Sequence, residues 1–313
     1  MNNDYQLYKL YELYNFRTQA SGRFLNIMNN KKNMRILITG ANSQLAKSIL
    51  ELEVFPKENL FLASKNTLDI TNRKKVFKLI SKLKPEIVFH FASMTRGDEC
   101  AKDPKKAYLI NVTGTKNVVD ACKIYMSSIL FISTNEVFDG KKKAPYTEND
   151  KPNPVTVVGS TKYDAEKYIK KNLTKFYIVR TSWLYSKWSS NFLHAVFSKA
   201  RENREIELVE DEIGSPTYSL DLAVAIKKLI FLKKYGIYHL SNAGNVSRLA
   251  FAKKAFEIKN IKNIKIIPIK LENYLRLSKP PLFTALDNNK AKRLGIILPN
   301  WKSALKRFLN SKV

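Results

Sequence analysis

The chain has 313 residues, 44% of them hydrophobic, and its 55 Lys and Arg outnumber 27 Asp and Glu to give a formal net charge of +28. This composition supports a buried core and excludes collagen, coiled-coil and disordered classes. The lysines are spread in short clusters without a nucleic-acid-binding module, so a solvated basic surface is favoured over nucleic-acid binding.

No apolar stretch reaches the roughly 18 residues of a membrane span, and tyrosines and acids interrupt the place of a signal peptide's apolar core. We therefore expect a cytoplasmic protein without membrane contact. Cys100 and Cys122 are too few for a disulfide framework and lack metal-ligand spacing. They indicate a reducing compartment, no metal site and two thiols in the core.

Residues 1–33 precede the first convincing strand. Their tyrosines and leucines recur at roughly helical spacing, which predicts a short amphipathic helix. The sequence leaves open whether this extension is poorly ordered, binds a partner, or lies upstream of a true start at Met34. No function is assigned to it.

From Met34 onward, short apolar strands alternate with helices. The predicted elements are strand 35–39, helix 44–52, strand 60–63, helix 71–83, strand 87–91, helix 104–126 and strand 129–133. Continuous apolar strands separated by helices predict a parallel sheet covered on both faces. We predict an α/β fold with a doubly wound Rossmann sheet over 34–313, in which 181–313 contributes most of a smaller substrate-binding region.

The loop after the first strand is the candidate dinucleotide site. Residues 40–46 read GANSQLA, which keeps only Gly40 of a G-x-x-G-x-x-G phosphate loop. Its position still places the start of the first helix where a pyrophosphate would bind. The cofactor contacts predicted here are Gly40, Ser43, Gln44 and Leu45. At the end of the second strand, Lys65 favours NADP, and the sequence leaves NAD open.

Several segments occur in an order that resembles the dTDP-4-dehydrorhamnose reductases, which are sugar-nucleotide reductases of the extended short-chain dehydrogenase/reductase superfamily. They are LDIT from residue 68, FISTNEVF from 131, VRTSWLY from 179, DEIGSPT from 211 and DLA from 221. The resemblance extends over about residues 34–309. It implies NADP-dependent reduction of a nucleotide-linked 4-keto-6-deoxy sugar in dTDP-rhamnose biosynthesis for cell-surface polysaccharide. A homodimer is a family-level expectation.

The resemblance also implies further cofactor contacts. Asp69 and Ile70 would lie along the adenine, although Asp69 or Thr71 could instead cap the following helix. The family has small residues beside the cofactor where this chain has Phe91, Ala92 and Ser93, and Phe91 is much bulkier. The preceding histidine, His90, is predicted to make a structural hydrogen bond.

Ketone reduction needs a hydride at carbon and a proton at oxygen, and in the family a tyrosine four residues before a lysine supplies the proton. Lys162 matches that lysine, which holds the nicotinamide ribose, and Val158 occupies the tyrosine position and cannot donate a proton. Thr134 matches the hydroxyl that orients the carbonyl. The sequence leaves open whether water, Thr134 or Glu136 supplies the proton, and Glu136 would need a pKa raised by burial.

For the substrate, the resemblance implies contacts from Thr134, Asn135 and Trp183, with core packing as the alternative for Trp183. Tyr163, one residue beyond the lysine, is predicted to pack rather than to replace the missing tyrosine, because it lies about 100° around the helix.

Two hypotheses remain. The first is the reductase. The second is a catalytically impaired relative that binds a nucleotide or a protein, as the regulatory subunit of methionine adenosyltransferase, which is similar to this family, does. The joint loss of the tyrosine and of two loop glycines motivates the second hypothesis.

Overall fold

The computed structural model describes residues 34–202 and 205–311, so the predicted helix within 1–33 lies outside it. The strands are β1 Ile36–Thr39, β2 Leu60–Ala63, β3 Ile87–His90, β4 Ser128–Thr134, β5 Phe176–Thr181, β6 Leu184–Tyr185, β7 Glu205–Val209, β8 Ile213–Gly214, β9 Thr217–Tyr218, β10 Gly236–His239, β11 Val246–Ser247 and β12 Lys265–Ile269. The α-helices are α1 Gln44–Glu51, α2 Arg73–Leu83, α3 Gly97–Lys102, α4 Pro104–Tyr108, α5 Thr115–Ile124, α6 Val157–Asn172, α7 Phe192–Glu202, α8 Ser219–Leu232, α9 Arg248–Ile258, α10 Asn289–Lys292 and α11 Trp301–Asn310.

Six strands form the central sheet in the order β10-β5-β4-β3-β1-β2, and every neighbouring pair is parallel. Successive side chains of a strand point to opposite faces. Ile36 and Ile38 accordingly join one buried cluster, and Leu37 between them joins another. Both faces of the sheet are therefore covered, which explains the uninterrupted apolar strands. The predicted Rossmann architecture is confirmed.

Helix α2 begins at a different cap from those the sequence suggested. The Asn72 side chain accepts a hydrogen bond from the Lys75 backbone N–H at 3.0 Å and so caps the helix. The Asp69 carboxylate instead accepts hydrogen bonds from the backbone N–H and the hydroxyl of Thr71. The prediction that Asp69 or Thr71 caps this helix was therefore wrong, because their side chains bond each other in the preceding turn.

The predicted helix 104–126 is interrupted in its middle. Between α4 and α5 the chain forms a π-helical turn, Leu109–Gly114. The Asn111 side chain there bonds both the backbone N–H and the carbonyl of Met94, at 2.7 and 2.8 Å. These bonds tie the wide turn to the segment after β3, and such turns occur often at functional sites.

The chain beyond β5 builds three two-stranded sheets, β6 with β9, β7 with β12 and β8 with β11. An aromatic cluster packs β6, β9 and β11 against α9 and α11, with Tyr185, Tyr218, Phe251, Trp301 and Phe308 among its buried members. The assignment of substrate binding to 181–313 stays a prediction. Within the described ranges, no helix combines the length and the apolar character that crossing a membrane requires.

Candidate functional site

A cavity of about 340 Å³ lies where β4 and β5 end, between the start of α1 and the start of α6. The residues proposed from the sequence that line it are Ser43, Gln44, Leu45, Phe91, Ser93, Thr134, Asn135, Val158, Lys162 and Trp183. Gly40, Lys65, Asp69, Ile70 and Ala92 are not among its lining residues. The structure thus brings the catalytic and substrate candidates together, and the adenine candidates lie apart from them.

The turn between β1 and α1 is held close to the end of β3. Gly40 has a φ of +68°, and a Cβ there would lie 2.5 Å from the Ala92 backbone nitrogen. Only glycine fits this close approach. The Ser43 hydroxyl turns back into α1, where it accepts a hydrogen bond from the Ala46 backbone N–H at 3.3 Å. The Ser43 side chain is therefore engaged as a cap, and the helix start meets the cavity as a phosphate-binding turn requires.

Three candidates for the adenine end lie after β2. Lys65 and Asp69 are exposed, and Ile70 is buried with its side chain against Gly114. Hydrogen bonds from Thr71 hold the pKa of Asp69 below its usual range, and the charge of Lys65 contributes. Asp69 is therefore an anion beside a lysine at neutral pH.

The segment after β3 accommodates its bulky residue. Phe91 is buried in the core cluster of the sheet, where its ring centroid lies 5.9 Å from that of Phe89. The neighbouring His90 ring bonds the hydroxyls of Thr39 and Thr115 at 2.7 and 3.0 Å. Burial lowers the pKa of His90 to about 3, so the imidazole is neutral. The predicted structural role of His90 is confirmed.

Lys162 and Val158 lie one turn apart on α6, and both line the cavity. The Lys162 ammonium donates a hydrogen bond to the Ile132 carbonyl at 2.8 Å and lies 4.7 Å from the Phe131 ring centroid. Burial lowers the pKa of Lys162 to about 8. Val158 places an apolar side chain beside this cation. Tyr163 packs on the cluster that contains Phe138, in the packing role predicted for it.

The residues after β4 form a 3₁₀ turn, Asn135–Val137, and Thr134 at the end of β4 is its N-cap. The Thr134 hydroxyl accepts a hydrogen bond from the Glu136 backbone N–H and donates one to the Asn135 side chain, each at 3.2 Å. The Asn135 amide in turn donates to the Thr284 hydroxyl at 2.5 Å. Both candidates are thus fixed in orientation at the cavity wall.

Glu136, named from the sequence only as one of three alternative proton sources, also lines this cavity. Its Oε2 accepts a hydrogen bond from the Thr156 hydroxyl at 2.7 Å. Burial raises the pKa of Glu136 and the Glu212 carboxylate raises it further, while the hydrogen bond from Thr156 and the charges of Arg276 and Arg248 lower it, with a net rise. The cavity therefore contains a carboxyl group that holds its proton more strongly than an ordinary glutamate does.

Trp183 sits between a glycine and a cation. Its φ of 45° lies in the left-handed region, which bulky residues rarely adopt. A Cβ at Gly214 would lie 2.5 Å from the indole Cε2, so the ring packs directly on that backbone. On the indole, the Arg248 guanidinium lies 3.5 Å from the ring centroid. Trp183 lines the cavity and is only partly buried.

Arg248 lines this cavity and also a second cavity of about 240 Å³, so it connects the two. Other residues of the second cavity are Phe192, Lys199, Glu212, Tyr274 and Arg276. The Arg248 Nε donates to Glu212 Oε1 at 3.0 Å. Arg248, Arg276 and Lys199 were not predicted from the sequence, because nothing in their local sequence distinguishes them from the many other basic residues.

The protein belongs to the α/β proteins of the extended short-chain dehydrogenase/reductase class. Three features place it there: a parallel Rossmann sheet, a glycine turn before α1, and a cavity lined by both the buried Lys162 and the Thr134 hydroxyl at the end of β4. Comparison with known families then narrows the assignment. The chain belongs to the RmlD substrate binding domain family, which matches residues 34–313.

The relatives agree. The chain is 34% identical over 287 residues to dTDP-4-dehydrorhamnose reductase of Aggregatibacter actinomycetemcomitans, which covers 88% of this chain and 98% of the relative. It is 32% identical over 278 residues to the spore coat polysaccharide biosynthesis protein SpsK of Bacillus subtilis, covering 89% and 98%. The crystal structure of the Bacillus anthracis dTDP-4-dehydrorhamnose reductase in complex with NADP superposes with a TM-score of 0.85 at 37% identity, covering 89% and 99%. The predicted family resemblance is confirmed.

Proposed function

We propose that this protein is an NADP-dependent reductase of a nucleotide-linked 4-keto-6-deoxy sugar, with dTDP-4-dehydrorhamnose as the substrate that its relatives indicate. The observation that supports this most is one cavity that contains Lys162, Thr134 and Trp183 at the ends of the parallel strands. Ligands of open α/β sheets bind at that edge, so the fold and the chemistry agree.

The residues around the glycine turn fit a dinucleotide. The backbone at Gly40 and the start of α1 would hold the pyrophosphate, and Ser43, Gln44 and Leu45 line the cavity beside it. Lys162 would hold the nicotinamide ribose, and the exposed Lys65 would meet a 2′-phosphate. When bound, NADPH supplies the hydride for the carbonyl carbon. Asp69, Ile70 and the 91–93 segment remain predicted contacts.

The second cavity suits the nucleotide end of the substrate. Arg248, Arg276 and Lys199 outnumber the two carboxylates of its wall, Glu207 and Glu212, and can neutralise a diphosphate. The rings of Phe192 and Tyr274 offer faces for a base. Trp183 lies at the junction, where the sugar would bind, and Thr134 would orient the keto group.

The comparisons favour the reductase over the regulatory alternative, because the three relatives described above are named as reductases or as a polysaccharide biosynthesis protein. A homodimer and the absence of nucleic-acid binding stay predictions from the resemblance and from the spread of charge.

The test is NADPH oxidation by the purified protein with dTDP-4-dehydro-L-rhamnose, beside the Val158→Tyr variant and with NADH as the alternative cofactor. Turnover by the unmodified protein supports a reductase whose proton comes from a group other than a tyrosine at 158. Turnover only in the variant would mean an intact pocket without its chemistry. No turnover and no NADPH binding in either protein would contradict the proposal and support a regulatory role.

A further inference from the structure

We propose that Glu136 is the proton donor of the reduction. The proposal deepens the proposed function and rests on it. Glu136 lies in the wall of the cavity together with Thr134, Val158 and Lys162, so its carboxyl group shares the space in which the keto oxygen would be reduced.

The carboxyl group is fixed at the start of α6, directly beside position 158. The Thr156 hydroxyl, which caps this helix by accepting a hydrogen bond from the Gly159 backbone N–H at 3.0 Å, donates to Glu136 Oε2 at 2.7 Å. A Cβ at Gly159 would lie 2.0 Å from the Glu136 carbonyl oxygen, so the two backbones touch. Contacts on both sides of Val158 thus hold Glu136 in place.

The bond to Thr156 engages one oxygen of the carboxyl group. The Thr156 hydroxyl accepts from Gly159 through one lone pair and donates its one hydrogen to Oε2 of Glu136. In this arrangement Oε2 is an acceptor, and we assign the acidic hydrogen of the neutral carboxyl group to Oε1.

The other groups in the cavity wall are poorer donors or have another role. Lys162, whose pKa burial lowers to about 8, donates one N–H to the Ile132 carbonyl and is assigned to the ribose, and Arg248 keeps its proton at any working pH. Thr134 is an alcohol whose own proton is hydrogen-bonded to Asn135. Among the described residues that line this cavity, Glu136 alone has a carboxyl group.

The charges around Glu136 act in both directions. Burial and Glu212 favour the neutral carboxyl group, whereas the hydrogen bond from Thr156 and the charges of Arg276 and Arg248 favour the carboxylate, and the net effect raises the pKa of Glu136. Burial raises the pKa of the Cys100 thiol on α3 to about 11, with a contribution from the charge of Glu136, so Cys100 stays neutral. A neutral Glu136 at the pH of turnover can act as a general acid.

The step balances without a further reactant. As hydride reaches the carbonyl carbon, the π electrons of the C=O bond move to oxygen. The oxygen takes the proton from Glu136 Oε1, so an O–H bond forms to the sugar oxygen and the bond from Oε1 breaks. The Glu136 carboxylate that remains is protonated again from solvent before the next turnover.

The decisive variant is Glu136→Gln, which keeps an oxygen to accept from Thr156 and removes the acidic proton. Glu148→Gln is the matched control, since Glu148 also has a pKa raised by burial and accepts a hydrogen bond from the His239 backbone N–H outside this cavity. We expect Glu136→Gln to lower kcat about 10²- to 10⁴-fold, with KM and NADPH binding by fluorescence titration unchanged. Glu148→Gln should retain the activity of the unmodified protein.

Two further readouts separate a chemical role from a structural one. Val158→Tyr introduced into Glu136→Gln should restore turnover, with activity maintained to higher pH than in the unmodified protein. By infrared spectroscopy, the unmodified protein without ligands should show protonated carboxyl absorption above the pH at which ordinary glutamates ionise, and Glu136→Gln should lower it while the contribution of Glu148 remains.

Turnover that survives Glu136→Gln, or protonated carboxyl absorption that this variant leaves unchanged, would overturn the inference and leave the proposed reductase standing. No turnover by the unmodified protein would overturn both.

Discussion

The Arg248 guanidinium lies over the indole of Trp183, with its Cζ 3.5 Å from the ring centroid. Gly214 supports the same indole, and Glu212 holds the guanidinium through its Oε1. Because Arg248 lines both cavities, this stack places one cation and one aromatic ring where the sugar and the diphosphate of a sugar nucleotide would meet.

Gly214→Ala should displace Trp183, because the new methyl group would lie 2.5 Å from the indole. We expect a loss of about 1–3 kcal/mol in unfolding free energy from overpacking and a raised KM for the sugar nucleotide. Urea denaturation and steady-state kinetics measure the two effects. Gly295→Ala is the control, since its φ of +75° strains the backbone but no atom lies within 4 Å of the new methyl group. An equal rise in KM in both variants would contradict the role given to Trp183.

Lys162→Ala should abolish turnover and weaken NADPH binding, because it removes the cation predicted to hold the ribose. The chain offers a matched control in Lys290, whose ammonium donates to the Ile237 carbonyl at 2.7 Å and lies 4.6 Å from the Tyr238 ring centroid, outside the cavity. Lys290→Ala should keep both properties. Equal NADPH affinity in the two variants, measured by fluorescence titration, would count against Lys162 as a cofactor ligand.

Stability should fall on the acid side of neutrality. Burial lowers the pKa of His90 and of His239 to about 3, against 6.5 for an unperturbed histidine. The unfolded chain therefore binds more protons between these values, and the stabilisation present above pH 6.5 is lost as the pH falls toward 3. Each histidine should lower the free energy of unfolding by about 2 kcal/mol as the pH falls from 6.5 to 5.

Urea denaturation at pH 7 and at pH 5 measures this loss. His90→Gln should remove about half of the histidine contribution to it, and an unchanged pH dependence in that variant would show that His90 is protonated in the folded protein.

A buried ion pair between Arg180 and Glu166 contacts β4, the strand that ends at Thr134. Arg180 donates to Glu166 through Nε and Nη2 at 2.9 and 2.7 Å, and the Ser133 hydroxyl donates to the same carboxylate at 2.5 Å. Glu166→Ala should cost about 3–5 kcal/mol, because it leaves a buried guanidinium unpaired.

Asp164→Ala, which breaks the exposed pair with Lys167 on the same helix, should cost less than about 1 kcal/mol. Thermal or urea unfolding compares the two losses, and a similar cost for both would contradict the importance of the buried pair.

Much of the sheet could be predicted from the sequence. Both faces of the sheet are covered, so each strand is buried on both sides and reads as a short apolar run. The cap of α2 could not be predicted, since Asp69, Thr71 and Asn72 are all good capping residues and the Asp69 and Thr71 side chains bond each other, which leaves the cap to Asn72. The interruption at Leu109–Gly114 depends on Asn111 bonding Met94, a contact that no local pattern announces.

Some residues of the candidate site could likewise be predicted from the sequence and others could not. Lys162, Thr134 and Trp183 were predicted because motifs carry them, and the structure brings them to one cavity. Arg248 reaches this cavity, and Arg276 the second one, from distant segments of a chain rich in lysine and arginine, so no local pattern indicated them. The pKa of Glu136 depends on burial, which the sequence could name only as a requirement.

The central claim is tested most directly by following a label. The protein is incubated with NADPH deuterated at the transferring position of the nicotinamide and with dTDP-4-dehydro-L-rhamnose, and the product is examined by mass spectrometry and NMR. We predict one deuterium on the former carbonyl carbon of the sugar, and none with Lys162→Ala. Unlabelled sugar recovered unchanged from the unmodified protein would contradict it.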